Sequence, residues 1–599
     1  MVLNKLEIEP KGTLTPFKVY LLSDMKVKRL CKEFEFYKIR FYREELGKQS
    51  IVWFEYPRGN LYWFLDFEGY VTNTFLTSDT YVNEWELFLN NLKKCIKEEF
   101  LELKTLLKYN VTAKKVVSYQ CKYMLRDYQA SDLCQFLVKF QYWQNRGLIL
   151  SEPRTGKSRV AIAAWLESRT DETSMALIIC PKTAQLGWTK EFKALGISDC
   201  TVVNKISDVN STDIVKIISY DLYKKLTLTQ IRALTNKCKE ITLICDEVHR
   251  LRNFQTLQSK AIYSFKDFCY RDDVDLRIIG LTGTPAVKMD SDVFGVLCLM
   301  NDSKIKFHPT YDCFDTFKEY FYYCEDTSFG KIAKSLRRDN ELNFIIQSCS
   351  VQTKQCELDM FKNYTKVYKK VELNMDDDQR DIYASVEKDM EYGTEIDCEN
   401  KLVQLIRLQQ ICVDPSGLVA AYDHLSPKLK WITSLAIKCK YKIIVASKKV
   451  TPLKHLEEIL DKYSIKYSYL YGSLSFSERN TQVETFTQDA DVKVMLLQLD
   501  TGREALTLPV ASAMVFLDRD FAQGYNEQAE ARITPVDGKP CTKYIVDLVM
   551  KHTKEEEIYD TLVVKKKSIN NINTVFMKKE SDKTDEWWIW IWVNGQNPV

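Results

Sequence analysis

The chain has 599 residues, too many for one hydrophobic core, so three or more domains are expected. Hydrophobic residues make up 45% and charged residues 28%, with 85 basic against 82 acidic side chains and a net charge of +3. That is an ordinary globular composition without an overall basic coat, so a local groove must hold any nucleic acid. The eighteen cysteines include no Cys-x-x-Cys pair, and none of the five histidines joins cysteines at zinc spacing. Reduced thiols in a cytosolic compartment and no structural metal are therefore expected. The opening Met1-Val-Leu-Asn-Lys-Leu-Glu-Ile-Glu9 is partly acidic and lacks the apolar stretch of a signal peptide. No apolar run approaches the ~20 residues of a membrane helix, so no membrane partner is expected.

Residues 1–118 read as a separate α+β module. Ser50–Tyr56 and Leu61–Phe67 are apolar, aromatic runs joined by Pro57-Arg58-Gly59-Asn60, which predicts a hairpin. A helix is expected next, with Trp85, Phe88, Leu89, Leu92, Cys95 and Ile96 on one face. Nothing in the module carries chemistry, and it reads as a packing or substrate-positioning appendage.

From 119 onwards, short apolar runs alternate with helical segments. Strands are expected at 147–150, 176–180, 214–219, 241–245 and 277–280, and again at 442–446, 467–471, 492–497, 513–517 and 543–548. Such alternation predicts parallel sheets whose ligands bind at the strand C-terminal ends. Two similar α/β lobes result, at 119–300 and 426–565. The segment 301–425 between them is helix-like, with Leu402, Leu405, Leu408 and Ile411 at helical spacing. The tail, 566–599, contains Trp587-Trp-Ile-Trp-Ile-Trp-Val593, which alternates like a strand and holds four of the eleven tryptophans. It is expected to pair with an exposed sheet edge or to dock on a protein partner.

Two motifs carry chemistry. Ser151-Glu-Pro-Arg-Thr-Gly-Lys-Ser158 follows an apolar strand and fits the P-loop pattern except that Ser151 replaces the first glycine. Backbone N–H groups of Arg154, Thr155 and Gly156 would face phosphate oxygens at a helix N-terminus. Lys157 would reach the β- and γ-phosphates of ATP, and Ser158 would ligate Mg2+. Val160, Ala161, Ala163, Ala164 and Leu166 extend the loop into a helix. Downstream, Asp246-Glu-Val-His249 ends the strand Ile241-Thr-Leu-Ile-Cys245. A carboxylate there can hold Mg2+ and its neighbour can orient or deprotonate the attacking water, which gives Asp246 the metal and Glu247 the water.

In order and content, these motifs resemble the superfamily 2 helicases, specifically the Swi/Snf-type DNA translocases, from 119 to about 560. Leu125-Arg-Asp-Tyr-Gln129 resembles the adenine-reading Q motif, which implies ATP contacts for Arg126 and Gln129. Ile178-Ile-Cys-Pro-Lys-Thr183, with Trp188 and Glu191-Phe192, resembles motif Ia, and Ile218-Ser-Tyr220 motif Ib. Leu281-Thr-Gly-Thr-Pro285 resembles motif III, which implies that Thr282, Gly283 and Thr284, with His249, couple hydrolysis to lobe movement. Leu405 to Cys412 with Asp414-Pro415 resembles the family's helical connection. Tyr471-Gly-Ser473, a Ser475-x-x-Glu478 capping box, Arg479 and Phe486 resemble the next block. Thr501 to Leu508 and Gln528-Ala-x-x-Arg532 resemble motifs V and VI. The resemblance implies an α/β fold of two RecA-like parallel-sheet lobes with a helical insertion, beside the N-terminal α+β accessory domain. It also implies an ATP hydrolase using ATP and Mg2+, with Gln528 and Arg532 closing on the nucleotide. Duplex, forked or branched DNA is the implied partner, gripped through Lys182, Thr183, Ser219, Tyr220, Ser473 and Thr501. Arg154-Thr-Gly-Lys-Ser158 resembles the bacteriophage and bacterial branch, so the expected compartment is cytoplasmic, that of a host if phage-encoded.

The sequence departs from the family at two places. Motif VI usually continues to a second arginine, and that position holds Pro535. The usual Gly-Gly-x-Gly of motif V is Gly502-Arg503-Glu504-Ala505. Either Arg503 or Arg532 supplies the missing charge, with Arg503 as the replacement finger, or the chain is an ATP-gated DNA-binding scaffold with weak hydrolysis. An RNA helicase of the same superfamily is a further alternative.

Overall fold

The structure of the protein, a computed structural model, describes residues 15–21, 41–46, 49–56, 101, 105–106 and 111–562. Within the last stretch it leaves out 236–237, 284–292, 302–313, 328–329, 338, 394, 500–507, 522 and 536–538. Near the N-terminus, Thr15–Leu21 (β1), Phe41–Leu46 (β2) and Gln49–Tyr56 (β3) form an antiparallel sheet in the order β1-β3-β2. β3 pairs on one edge with β1, from Tyr56↔Thr15 to Ser50↔Leu21, and on the other with β2. β3 therefore has a partner on each of its two edges. Leu61–Phe67 of the expected hairpin, the helix expected around Trp85–Ile96 and the tryptophan-rich tail lie outside the described residues.

The first lobe is built on Arg146–Ile149 (β4), Met175–Cys180 (β5), Cys200–Val203 (β6), Val215–Ser219 (β7), Glu240–Asp246 (β8) and Asp275–Leu281 (β9). Beyond a hairpin of Tyr322–Thr327 (β10) and Gly330–Leu336 (β11), Ser350–Val351 (β12) returns to the same sheet. The order is β12-β4-β9-β8-β5-β7-β6, with every pair parallel. Alternate side chains enter two separate cores. Leu148, Leu177, Ile179, Leu243 and Cys245 face one, and Ile149, Ala176, Ile178, Ile244 and Ile279 face the other. Helices cover both faces, which is why these strands read as mainly apolar runs, with Lys216 and Arg277 as buried charged exceptions.

Tyr364–Leu373 (β13) leaves the first lobe and becomes the edge strand of the second sheet. After the small ladder Glu391–Tyr392 (β14) with Ile396–Asp397 (β15) come Ile443–Ser447 (β16), Tyr467–Leu470 (β17), Val494–Gln498 (β18), Ala513–Phe516 (β19) and Cys541–Met550 (β20). The second sheet is also parallel, in the order β13-β20-β19-β16-β18-β17. The segment 301–425 contains the expected helix, Lys401–Val413, with Leu408 and Ile411 buried and Leu402 exposed. It also contains strands β10 to β15, which a helical reading omits. Among the described residues no helix is long and apolar enough to cross a membrane.

Asp414 ends the connecting helix and caps the turn Pro415–Gly417. Its carboxylate accepts from Ser416 N, from Ser416 Oγ and, at 2.8 Å, from His455 Nδ1. That bond raises the His455 imidazole above its ordinary value, against the opposing effect of burial. A raised folded-state value means stabilisation that is full below the ordinary histidine range and lost as pH rises through the folded value. His455→Gln is thus expected to lower the melting temperature by roughly 2–4 °C near pH 6 and by little near pH 9. A pH-independent loss in thermal melts would contradict the pairing.

Candidate active site

The sheet register brings the three first-lobe motifs to one level. Ile149 pairs with Leu281, and Leu281 with Asp246, so β4, β9 and β8 end side by side. The P-loop thus faces Asp246-Glu247 with Thr282-Gly283 between them. The fit is close: a Cβ on Gly283 would lie 2.9 Å from Pro153.

Ser151, the exception to the P-loop pattern, is buried, and its Oγ accepts from Thr353 N at 3.1 Å. Glu152 N donates to Thr353 O at 2.9 Å, and Glu152 Oε2 accepts from Gln355 N at 2.7 Å. A hydroxyl therefore stitches the loop to the strand exit after β12, where glycine would offer nothing. Gly156 has φ +84°, and a Cβ there would stand 2.0 Å from Gln129 Nε2. Both the left-handed backbone and the close approach require glycine. From the helix Asp127–Tyr142, Gln129 Nε2 and Tyr128 OH donate to Thr155 O at 2.9 and 3.0 Å. Gln129 Oε1 accepts from Arg126 N at 2.9 Å. Gln129, expected to meet adenine, thus braces the P-loop. Gly156 caps the helix Lys157–Ser168, whose Val160–Trp165 are buried and whose first N–H groups lack intrahelical partners.

Lys157 Nζ donates to Glu152 O at 3.2 Å. Burial lowers its pKa, while the charges of Glu247, Asp246 and Glu152 oppose that. Asp246 is fixed from three sides. Its Oδ2 accepts from Trp188 Nε1 at 2.9 Å, its Oδ1 accepts from Glu247 N at 3.0 Å, and its carbonyl accepts from Tyr220 OH at 2.8 Å. Burial and the neighbouring Glu247 raise the Asp246 carboxyl, against Trp188 and Lys157. Glu247 goes the other way. Burial would raise it, but the bond to His249 and the charges of His249, Lys157 and Arg532 hold it below the usual carboxylate range. The backbone of Glu247 is left-handed, φ +52°, an uncommon conformation for a side-chain-bearing residue. It turns the carboxylate back over the strand end, towards His249. His249 is buried, with Nδ1 3.3 Å from Glu247 Oε2 and 3.0 Å from Thr282 Oγ1, and so bridges the two motifs.

The second lobe contributes the turn that ends the helix Gln523–Glu530. Arg532 lies near enough to the first-lobe motifs for its charge to act on both Lys157 and Glu247, and its carbonyl oxygen is 3.4 Å from Arg154 Nη1. Gln528 is buried one turn before it. Arg252, just past the Asp-Glu-Val-His block, donates to Tyr525 OH at 3.2 Å across the lobes. Thr534 is extended with ψ 125°, as the residue before a proline must be, and the turn stops at the buried Pro535.

Of the expected nucleic-acid contacts, two need correction. Tyr220 is only 1% exposed and its hydroxyl is engaged by Asp246, so it supports the catalytic strand from beneath. Ser219 is buried and its Oγ accepts from Leu222 N as a helix cap. Lys182 and Ser473 are exposed. The Thr183 side chain, Thr284, Thr501 and Arg503 lie outside the described residues. Trp188 and Ser151 as supports, and the Arg252–Tyr525 contact, have no signal in the sequence, because each depends on which strands are neighbours. Trp188→Phe keeps the ring in its pocket against Phe192 but removes the donor to Asp246. It is expected to lower ATPase kcat roughly 10- to 100-fold, the worth of one hydrogen bond to a charged group. Unchanged steady-state kinetics would show that Asp246 needs no such anchor.

Two family models match in chain order, an SNF2-related domain over 119–417 and a helicase conserved C-terminal domain over 427–534. The chain is similar to a chromodomain-helicase-DNA-binding protein 1-like of Mus musculus, 22% identical over 73% of this chain and 48% of that protein. It is also similar to a DNA annealing helicase and endonuclease ZRANB3 of Homo sapiens, 22% identical over 67% and 38%. A DNA repair and recombination protein RAD54B of Gallus gallus is 25% identical over 65% and 47%. The chain thus spans about half the length of these curated relatives or less. Among solved structures, a Sulfolobus solfataricus SWI2/SNF2 ATPase core in complex with dsDNA matches 75% of this chain and 92% of that one, with 20% identity and a TM-score of 0.30. With an SNF2-related domain followed by a helicase C-terminal domain, on two parallel-sheet α/β lobes, the chain belongs to the SNF2 family of superfamily 2 helicases.

Proposed function

We propose that the chain is an ATP-driven DNA translocase that tracks along duplex or forked DNA and remodels it, by branch migration, fork remodelling or protein displacement. One observation carries this reading: the second lobe meets the first at its motifs, with Arg154 of the P-loop 3.4 Å from Arg532 O and Arg252 donating to Tyr525 OH at 3.2 Å. Such a site is complete only when the lobes meet, which is what an ATP-gated motor requires. The relatives, helicases and a DNA repair and recombination protein by name, agree with it.

The Ser158 hydroxyl and the Asp246 carboxylate are hard oxygen donors of the kind Mg2+ takes. Bound there, Mg2+ would neutralise phosphate charge. Lys157 and the helix N-terminus at Gly156 would hold the phosphates. Glu247, kept ionised, would orient and deprotonate water, and Arg532 would meet the charge that develops on the γ-phosphate. The His249–Thr282 bridge would pass a change at Glu247 to the end of β9. Lys182, Thr183, Ser473 and Thr501 would contact phosphates, so DNA binding should ignore sequence and weaken with salt.

Displacement of a third strand from a triplex on duplex DNA tests the reading. ATP-dependent displacement by the wild-type chain and none by Lys157→Ala is expected. Tight duplex binding without displacement, beside turnover equal to Lys157→Ala, would favour the ATP-gated scaffold, for which Pro535 speaks. Displacement or turnover driven by RNA alone would favour an RNA helicase.

A further inference from the structure

Where the family pattern has a second cross-cleft arginine in the second lobe, this chain has Pro535, and the first lobe carries an arginine of its own at the cleft. Arg154 lies within the P-loop at φ +68°, in the left-handed region that an arginine rarely occupies. The residues around it enforce this backbone. Pro153 O accepts from Gln355 Nε2 at 2.7 Å, the Pro153 ring backs onto Gly283, and Thr155 Oγ1 closes on Glu152 O at 2.8 Å. The side chain leaves the loop towards the second lobe, where Nη1 reaches the carbonyl oxygen of Arg532 at 3.4 Å. That oxygen also accepts from Leu508 N at 2.9 Å, where the chain re-enters after the motif V segment. Tyr364, at the start of β13, is close enough to act on the Arg154 charge, and its hydroxyl lies 3.4 Å from Thr534 Oγ1. Arg154 is therefore docked on the turn Arg532-Ile533-Thr534 that ends at Pro535.

We propose that Arg154 is a positioning residue that joins the lobes from the P-loop side, pinning the main chain of Arg532 so that its charge stays close to Lys157 and Glu247. The guanidinium suits this task because it keeps its charge when partly buried and offers several donors in a fixed plane. The proposal rests on the motor reading above.

The test compares wild type, Arg154→Ala, Arg154→Lys, Arg532→Ala and the Arg154→Ala/Arg532→Ala double variant, by DNA-stimulated ATP turnover and by the Kd of a fluorescent ATP analogue. Arg154→Ala should lower kcat roughly 10- to 100-fold and raise the analogue Kd far less, the loss of one charged hydrogen bond made on lobe closure. Arg154→Lys, which keeps a charged donor and guards against a merely misfolded loop, should recover part of that loss. The double variant should be no slower than Arg532→Ala alone, because Arg154 acts through Arg532. Wild-type kcat in Arg154→Ala overturns the proposal, as do losses that multiply in the double variant or a change confined to analogue binding. A wild-type rate no higher than that of Lys157→Ala overturns the motor reading and this proposal with it.

Discussion

Glu247→Gln is expected to lower DNA-stimulated ATP turnover by roughly 10²- to 10⁴-fold, the usual worth of a positioned general base. The substitution keeps the shape of the side chain and removes its charge. That charge is what the local structure protects: His249, Lys157 and Arg532 together hold Glu247 ionised in a setting where burial alone would neutralise it. Binding should survive, because Lys157 and the P-loop backbone, on the opposite wall, are the groups proposed to hold the phosphates. A fluorescent ATP analogue should therefore bind Glu247→Gln within a few-fold of wild type while steady-state turnover collapses. If the amide variant turned over at more than a tenth of the wild-type rate, Glu247 would not be the base, and the left-handed backbone that presents it would need another explanation.

Arg532→Ala should cost at least as much. Removing an arginine finger from a phosphoryl-transfer site lowers the rate by about 10³- to 10⁵-fold. The motif VI pattern that the sequence resembles carries two arginines, whereas here Pro535 leaves it with one. Arg503, the alternative source of charge, lies outside the described residues, so the two are best separated by measuring Arg503→Ala beside Arg532→Ala. A loss near the full range in Arg532→Ala and a small one in Arg503→Ala would assign the charge to Arg532. The reverse pattern would assign it to Arg503 and confine Arg532 to holding the interlobe turn through its carbonyl. Near-normal rates in both would remove the finger from the mechanism.

The ten strands expected in the two lobes are all present, each end within three residues of its expected position. They are legible because parallel strands covered on both faces are mainly apolar, as in Leu243-Ile-Cys245 and Val494-Met-Leu-Leu497. The strands that escape are of other kinds. β13, Tyr-Thr-Lys-Val-Tyr-Lys-Lys-Val-Glu-Leu, is a sheet edge rich in lysine that buries neither face fully, and β12 is two residues long. β6 is a short edge strand whose burial is only partial.

At the site, the P-loop and the Asp246-Glu247 strand end are legible in the sequence because both obey local rules, whereas Gln129, His249, Thr282, Gln528 and Arg532 enter only through the family resemblance. Their supports are not legible. Trp188 reaches Asp246 because β5 and β8 are neighbours, and Ser151 is tethered because β12 returns beside β4 after some two hundred residues. Ser219 and Tyr220 show the converse. Both occupy motif positions, yet one caps a helix and the other is packed beneath the strand carrying Asp246. Motif matching identifies such positions without revealing which way a side chain turns.

The most direct test of the motor is the initial rate of ATP hydrolysis with no nucleic acid, single-stranded DNA, duplex DNA, forked DNA and RNA, with Lys157→Ala as the blank. The account predicts a rate raised strongly by duplex or forked DNA and little by RNA, with Lys157→Ala flat throughout. Turnover no better than that blank on every substrate would contradict it and leave an ATP-gated DNA-binding scaffold, with Pro535 marking a lost finger.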